Sequence, residues 1–253
     1  MLDLHSHVLP GVDDGPETMA ESLDLLRAAQ DEGITRLAAT PHVRDDYPTA
    51  PGDMERLTRE LNDAARAERL AVEVLPGGEL DISFARSLDN DTLHRFGLGG
   101  NPRLLLVEFP YHGWPLALLD TVELLAGRGF RIVLAHPERS YEVQERPDRL
   151  LPLVETGVLV QLTAASVDGR LGRRSQRCAR ALLEAGSAHL LASDAHAPAV
   201  RAVGMTAAAE ALDDPELARW LTHDVPAALV DDAPLPARPA PRRARGISAR
   251  WRA

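Results

Sequence analysis

The feature that most constrains the fold is a short apolar run that recurs seven times and that ends, in six cases, in His, Asp or Glu. Segments with helical periodicity separate most of the runs, so strand and helix alternate along the chain. Such alternation is typical of a parallel sheet, and parallel sheets place ligand sites beyond the carboxyl ends of their strands. The candidate ligands are therefore expected to share one edge of the sheet. The runs lie at residues 2–4, 36–40, 72–75, 104–107, 131–135, 158–162 and 189–193.

Length and composition favour an α/β barrel. The chain has 253 residues, 45% of them hydrophobic, and such a barrel typically takes about 250 residues. Two segments lack a helical pattern: residues 43–52 predict a polar loop, and residues 81–103 predict an irregular stretch. Helices are predicted after the capping-box pair Thr18 and Glu21, after Asp53, and over residues 114–128, 146–155, 173–185 and 205–231.

The chain divides into a domain, residues 1–232, and a basic tail, residues 233–253. The tail has four prolines, six arginines and no acidic residue, a composition that predicts disorder. Because the net charge of the whole chain is −10, the domain is more acidic still, and nucleic acid is not an expected partner. The absence of a visible signal peptide and of an apolar run of about 18 residues predicts a cytoplasmic protein without a membrane span.

Nine side chains at or after the strand ends are candidate metal ligands. His5 and His7 are two residues apart in an extended run, so both imidazoles point to the same side. Glu108 ends an apolar strand, where a carboxylate is costly unless it is paired or metal-bound. Nine ligands exceed the needs of one zinc ion and suit two or three divalent ions, for which Mn, Fe and Zn all fit a mixed shell. The nine are His5, His7, Asp14, His42, Glu79, Glu108, His136, Asp194 and His196.

A cluster of divalent ions suits phosphoester hydrolysis, because it lowers the pKa of a bound water and clamps the oxygens of an in-line displacement. Arg139 and Arg201 lie close in sequence to the ligands and are predicted to hold phosphate by bidentate hydrogen bonds. Cysteine-based phosphatase chemistry is not expected, because Glu184 stands six residues after Cys178, where that chemistry needs an arginine. A G-x-S-x-G nucleophile elbow and a Walker A loop are absent from the sequence.

Together these motifs resemble the PHP (polymerase and histidinol phosphatase) family. The resemblance is closest to its branch of bacterial metal-dependent protein-tyrosine phosphatases, which act in capsule and exopolysaccharide control. It spans residues 2 to about 201. The matching segments are D-L-H-S-H-V-L-P-G-V-D-D-G from Asp3, A-T-P-H up to His42, P-G-G-E up to Glu79, E-F-P from Glu108, A-H-P-E-R from Ala135 and S-D-A-H from Ser193.

The resemblance implies a distorted seven-stranded (β/α) barrel, similar to a TIM barrel, with a trinuclear site usually activated by Mn. It also implies attack of metal-bound hydroxide on phosphotyrosine, with Arg139 and Arg201 on the phosphate. The implied substrate is the tail of a bacterial tyrosine kinase that governs polysaccharide export, and relatives form homo-oligomers. The implied ligand sets are His5, His7, Glu79 and Asp194 for one ion, Glu79, Glu108 and His136 for a second, and Asp14, His42 and His196 for a third.

Three alternatives stay open at this point. A small-molecule phosphatase, such as a histidinol-phosphate phosphatase, would use the same scaffold. A nuclease would also use it, although the acidic domain argues against one. A non-enzymatic scaffold that binds a kinase would not need nine intact ligand positions.

Overall fold

The strands form a largely parallel sheet system in the computed structural model, which describes residues 1–197 and 202–240. Within these residues, the strands are β1 (Leu2–Ser6), β2 (Arg36–Ala39), β3 (His42–Arg44), β4 (Tyr47–Pro48), β5 (Glu73–Leu75), β6 (Glu79–Asp81), β7 (Leu104–Glu108), β8 (Arg131–Leu134), β9 (Leu159–Thr163) and β10 (Leu190–Ala192).

The strand pairs belong to two sheets that adjoin each other. One has the order β1-β2-β5 and the other the order β10-β9-β8-β7-β6-β3-β4; the hairpin pair β3–β4 is antiparallel and the remaining pairs are parallel. Thr40 and Pro41 alone separate β2 from β3. Ser6, at the end of the edge strand β1, forms a parallel bridge with Ala195, which follows the edge strand β10 of the other sheet. The predicted α/β fold with a parallel sheet is therefore confirmed.

The described helices follow the strands. The capping box predicted for α1 is present, because the Thr18 hydroxyl accepts from Glu21 N and Glu21 reaches back to Thr18 N. The helices are α1 (Met19–Asp31), α2 (Pro51–Ala67), α3 (Ile82–Ser87), α4 (Asn90–Arg95), α5 (Leu118–Gly127), α6 (Tyr141–Glu145), α7 (Leu151–Glu155), α8 (Ala164–Val167), α9 (Arg173–Glu184), α10 (Met205–Ala211), α11 (Pro215–Arg219) and α12 (Val225–Val230).

Two predictions of local structure were wrong. The segment expected to be irregular, residues 81–103, contains α3 and α4, which begin at side-chain caps from Asp81 and Asp89. The loop predicted at residues 43–52 contains most of the β3–β4 hairpin and the start of α2. Both cases involve elements too short for periodicity to reveal, since a helix of six residues shows fewer than two turns.

The first residues of the predicted tail, 233–240, lie against the domain rather than apart from it. Trp220 Nε1 donates to Pro236 O at 3.0 Å. Arg238 donates to the carbonyl oxygens of Leu183 and Ala188, near the C-terminus of α9, where cations are favoured. The prediction of disorder therefore does not hold for this segment, and residues 241–253 lie outside the described residues.

Among the helices of the described ranges, none combines the length and the apolar character that crossing a bilayer requires.

Candidate metal centre

All nine predicted ligands lie at one edge of the sheet system, and their ligand atoms form four overlapping groups. Within each group the ligand atoms lie within 4.8 Å of one another. Strands position four of the nine side chains directly, and the segments after the strands position the rest. The groups are His7, Asp14, His42 and His196; His5, Glu79 and His136; His5, His7 and Asp194; and His42, Glu79 and Glu108.

The grouping resembles the implied ligand sets but does not reproduce them. Asp14, His42 and His196 cluster as implied, and His7 joins them. Glu108 groups with His42 and Glu79 rather than with His136, and its Oε1 lies 3.2 Å from His42 Nδ1. Glu79 belongs to two groups, which is the position that a bridging carboxylate needs.

Two of the ligands adopt left-handed backbone conformations two residues after the ends of β8 and β10. His136 has φ of 33° and Asp194 has φ of 53°. A left-handed non-glycine residue costs on the order of 1 kcal/mol, and such residues cluster at functional sites. At each position this conformation turns the backbone sharply after the strand, so that the side chain faces the cluster.

Four buried ligand atoms make no hydrogen bond within residues 1–197 and 202–240: His5 Nε2, His7 Nε2, His42 Nδ1 and Glu79 Oε2. They are nonetheless close together, since His42 Nδ1 lies 2.9 Å and His7 Nε2 lies 3.3 Å from Glu79 Oε2. Short separations without hydrogen-bond alignment are expected where lone pairs point at a shared cation. Buried polar groups are rarely left unsatisfied, so these residues fit divalent metal ions.

The charges of the cluster depend on one another. Burial opposes ionisation of Glu79, but His5 and His136 hold the pKa of this carboxyl well below its usual range. Burial likewise opposes protonation of His42, yet its contacts with Glu108 and Glu79 raise its pKa to about 9. Because metal ligation requires neutral imidazole, cation binding here must release protons.

Two residues that were not predicted as ligands hold the ligand histidines in place with buried side chains. His7 Nδ1 donates to Asp13 Oδ2 at 2.7 Å, and His5 Nδ1 donates to Gln161 Oε1 at 3.1 Å. Each contact leaves Nε2 facing the cluster and orients the ring, as is usual for metal-bound histidine. Gln161 also accepts from His136 N at 3.1 Å. The strand without a ligand, β9, therefore contributes a supporting residue.

A sequence signal for these supports exists, although it is weak. Gln161 is the one polar residue inside the run 158–162, and Asp13 directly precedes the predicted ligand Asp14. Asp3, two residues before His5, is a third such case. It accepts from Ser193 N at 3.0 Å, which joins β1 to the segment that carries Asp194, and burial raises its pKa to about 6.

Of the two predicted phosphate-binding arginines, the structure describes one. Arg139 Nη1 donates to Asp194 Oδ2 at 2.5 Å, and its guanidinium carbon lies 4.6 Å from the centre of the Tyr111 ring. Arg139 therefore reaches the cluster, and its role in binding phosphate stays a prediction. Arg201 lies outside the described residues.

Imidazoles and carboxylates clustered at the carboxyl edge of a parallel sheet place this chain among the α/β proteins with a candidate metal centre. The family model for capsular polysaccharide synthesis, CpsB/CapC, matches residues 1–220 of this chain. The chain therefore belongs to the CpsB/CapC family, and the resemblance identified from the motifs is confirmed.

The relatives are named as phosphatases. Tyrosine-protein phosphatase YwqE from Bacillus subtilis is 35% identical over 198 residues, which cover 78% of this chain and 77% of the relative. Tyrosine-protein phosphatase CpsB from Streptococcus agalactiae is 28% identical over 205 residues, with 78% and 83% covered. A chain from the crystal structures of YwqE and of CpsB from Streptococcus pneumoniae, described as metal-dependent tyrosine phosphatases, superposes with a TM-score of 0.86 at 31% identity, covering 96% of this chain and all of that one.

Proposed function

We propose that this chain is a metal-dependent protein-tyrosine phosphatase. The observation that carries the proposal is the convergence of nine predicted side chains into overlapping groups with ligand atoms within 4.8 Å of one another. Membership of the CpsB/CapC family and relatives named tyrosine-protein phosphatase support the choice of substrate.

In this proposal the nine side chains hold two or three divalent ions, with Mn as the first candidate and Fe or Zn as alternatives. Such ions, when bound, lower the pKa of water and polarise a phosphoryl group. The chain itself supplies Glu79 at the centre of the ligand groups, and Asp13 and Gln161 keep the rings of His7 and His5 oriented. This support is what holds the ligands at a productive geometry.

Arg139 is proposed to bind the substrate phosphate, because its guanidinium lies at the cluster and its planar fork matches phosphate oxygens. Arg201 is proposed for the same role from sequence alone. Tyr111 lies beside Arg139 with its ring centre 5.7 Å from that of His136. An aromatic side chain at this place favours an aryl phosphate, whose ring would lie next to the phosphate.

Three wider features belong to the same proposal. We infer that the strands close into a distorted seven-stranded (β/α) barrel, which the Ser6–Ala195 bridge between the margins of the two sheets supports. Residues 1–232 would be the catalytic domain.

The physiological partner is inferred to be a bacterial tyrosine kinase that controls polysaccharide synthesis. A homo-oligomer is also inferred, and it would cover exposed apolar side chains such as Leu116.

The proposal is tested with purified protein loaded with Mn. It should release phosphate from a phosphotyrosine peptide with a higher kcat/KM than from histidinol phosphate. His136→Ala should abolish turnover, because it removes one of the side chains that group with Glu79. Asp45→Ala, an exposed change outside the ligand groups, is the control. No phosphatase activity with Mn, Fe or Zn would overturn the proposal.

A further inference from the structure

Two arginine–tyrosine pairs contact the candidate metal centre. Of these four residues, the sequence predicted a role for Arg139 alone. In the first pair, Arg139 lies over Tyr111 and donates to Asp194. In the second, the guanidinium carbon of Arg44 lies 5.2 Å from the centre of the Tyr47 ring, and Arg44 Nη1 donates to Glu108 Oε1 at 3.3 Å. Each arginine therefore touches a carboxylate of the ligand set.

Arg44 spans the boundary between solvent and the centre. Its side chain is 31% exposed, whereas that of Glu108 is 7% exposed. On the outer side, Arg44 Nε lies 2.8 Å from the exposed carboxylate of Asp46. A guanidinium offers five N–H donors in a planar fork, more than these two carboxylate contacts require. Arg44 is therefore placed to take a further anion that arrives at the centre.

The position of Arg44 is built into the sheet. Arg44 and Tyr47 are register partners in the β3–β4 hairpin, and such cross-strand pairs restrict each other's side chains. The Tyr47 ring in turn stacks on the ligand candidate His42, with ring centres 5.7 Å apart and planes at 20°. A guanidinium held by a strand, a ring and a buried carboxylate is better positioned than a loose surface arginine.

We propose that Arg44 is a further phosphate-binding residue of the centre, which contacts the phosphoryl group of the substrate together with Arg139. The inference rests on the proposed function, because it takes a phosphate ester as the ligand. A phosphoryl group at the ligand cluster brings anionic oxygens next to Glu108, the carboxylate that Arg44 already reaches. Bidentate hydrogen bonding to those oxygens is what an arginine, and not a lysine, provides.

The test compares Arg44→Ala and Arg44→Lys with a matched control, Arg36→Ala. Arg36 begins β2, at the opposite end from the ligands; its side chain is 29% exposed and pairs with Asp231 at 3.6 Å. For the Mn-loaded proteins, inorganic phosphate is titrated by calorimetry, and kcat and KM are measured with a phosphotyrosine peptide. Bound Mn is counted in every sample.

We expect Arg44→Ala to raise the Kd for inorganic phosphate and the KM for the peptide by about tenfold or more, since a charge-assisted hydrogen bond is lost. Arg44→Lys keeps the charge without the fork and should fall between wild type and Arg44→Ala. Arg36→Ala should match wild type, and the Mn content should be the same in all four proteins.

Unchanged phosphate affinity in both Arg44 variants would overturn the inference. So would a fall in Mn content with normal phosphate affinity per loaded molecule, because Arg44 would then serve only to neutralise Glu108. If Arg44→Ala does not fold, Arg44→Lys decides alone. A wild-type protein that binds phosphate without hydrolysing phosphotyrosine would overturn the proposed function, and the phosphate titration would still decide the role of Arg44.

Discussion

The hydrogen bonds of Asp13 make Asp13→Asn an informative perturbation of the metal centre. Its carboxylate is buried, and both oxygens accept hydrogen bonds: Oδ2 from His7 Nδ1 at 2.7 Å and from His42 N at 3.0 Å, and Oδ1 from Gly15 N at 3.0 Å. Asparagine has the same shape but carries an NH₂ group in place of one oxygen. In either orientation, that NH₂ group faces an N–H donor.

The less costly orientation keeps the amide oxygen on His7 and His42 and sacrifices the bond from Gly15. Losing this bond and burying two facing donors should cost about 1–3 kcal/mol of unfolding free energy.

The negative charge of Asp13 is lost as well. Burial opposes protonation of His7, and Asp13 is the main group that nevertheless holds the pKa of His7 well above its ordinary value. A less basic His7 should weaken metal binding about 10–100-fold, which is the usual effect of changing a carboxylate that orients a histidine ligand.

The assay is a titration of chelator-treated protein with Mn, combined with thermal unfolding with and without the ion. Asp24→Asn, on the exposed face of α1 and ion-paired with Arg27, is the control and should bind Mn like wild type. A folded Asp13→Asn protein with wild-type Mn affinity would refute the reasoning, because the contact to His7 would then contribute nothing to the ligand.

Three further predictions concern the ions, the pH dependence and the backbone. Removing bound metal with a chelator should abolish phosphatase activity and lower the Tm by roughly 10 °C, since an ion at 1,000 times its Kd contributes about 4 kcal/mol; a Tm that does not respond to chelator would contradict the metal centre. Burial lowers the pKa of His189 to about 4, and its Nδ1 accepts from Val160 N. As the pH falls, the unfolded state takes up this proton first, so the contribution of His189 to the free energy of unfolding should be fully present above about pH 6.5. It should be lost as the pH falls towards 4, by up to about 3 kcal/mol. Denaturant titrations of wild type and His189→Gln from pH 4 to 7 should diverge in that window, and parallel curves would exclude His189 as the cause. A Cβ on Gly15 would lie 2.2 Å from His7 O, so Gly15→Ala should lose about 1–3 kcal/mol or more of unfolding free energy. The control is Gly127→Ala, at a helical glycine whose Cβ would have nothing within 4 Å, and it should be neutral or stabilising. Equal unfolding midpoints for the two variants would show that the segment around Gly15 relaxes freely.

Much of the fold was predictable because the apolar runs are local signals. The strands at 104–108 and 131–134 follow from apolar runs of four or five residues, and α1 from its capping box. Periodicity did not reveal α3 and α4, because each has only six residues and depends on an aspartate cap. The contacts of Arg238 were also beyond prediction, since they join residues 50 or more positions apart.

The composition of the ligand set was determined by the sequence alone. A parallel sheet brings the carboxyl ends of its strands to one edge, so a His, Asp or Glu that follows a run is directed there whatever the details of packing. The sequence thus named all nine side chains that the structure brings together.

Only the tertiary structure decided which ligand atoms share a site and which side chains support them. Glu108 lies with His42 rather than with His136 because the grouping depends on strand register and side-chain rotamers, which no local pattern encodes. The same holds for Gln161, which supports His5 from 156 positions away, and for Arg44, whose contact with Glu108 joins β3 to β7 across β6. Local sequence specifies which side chains lie at the edge of a sheet, and the pairing of distant strands specifies which of them contact one another.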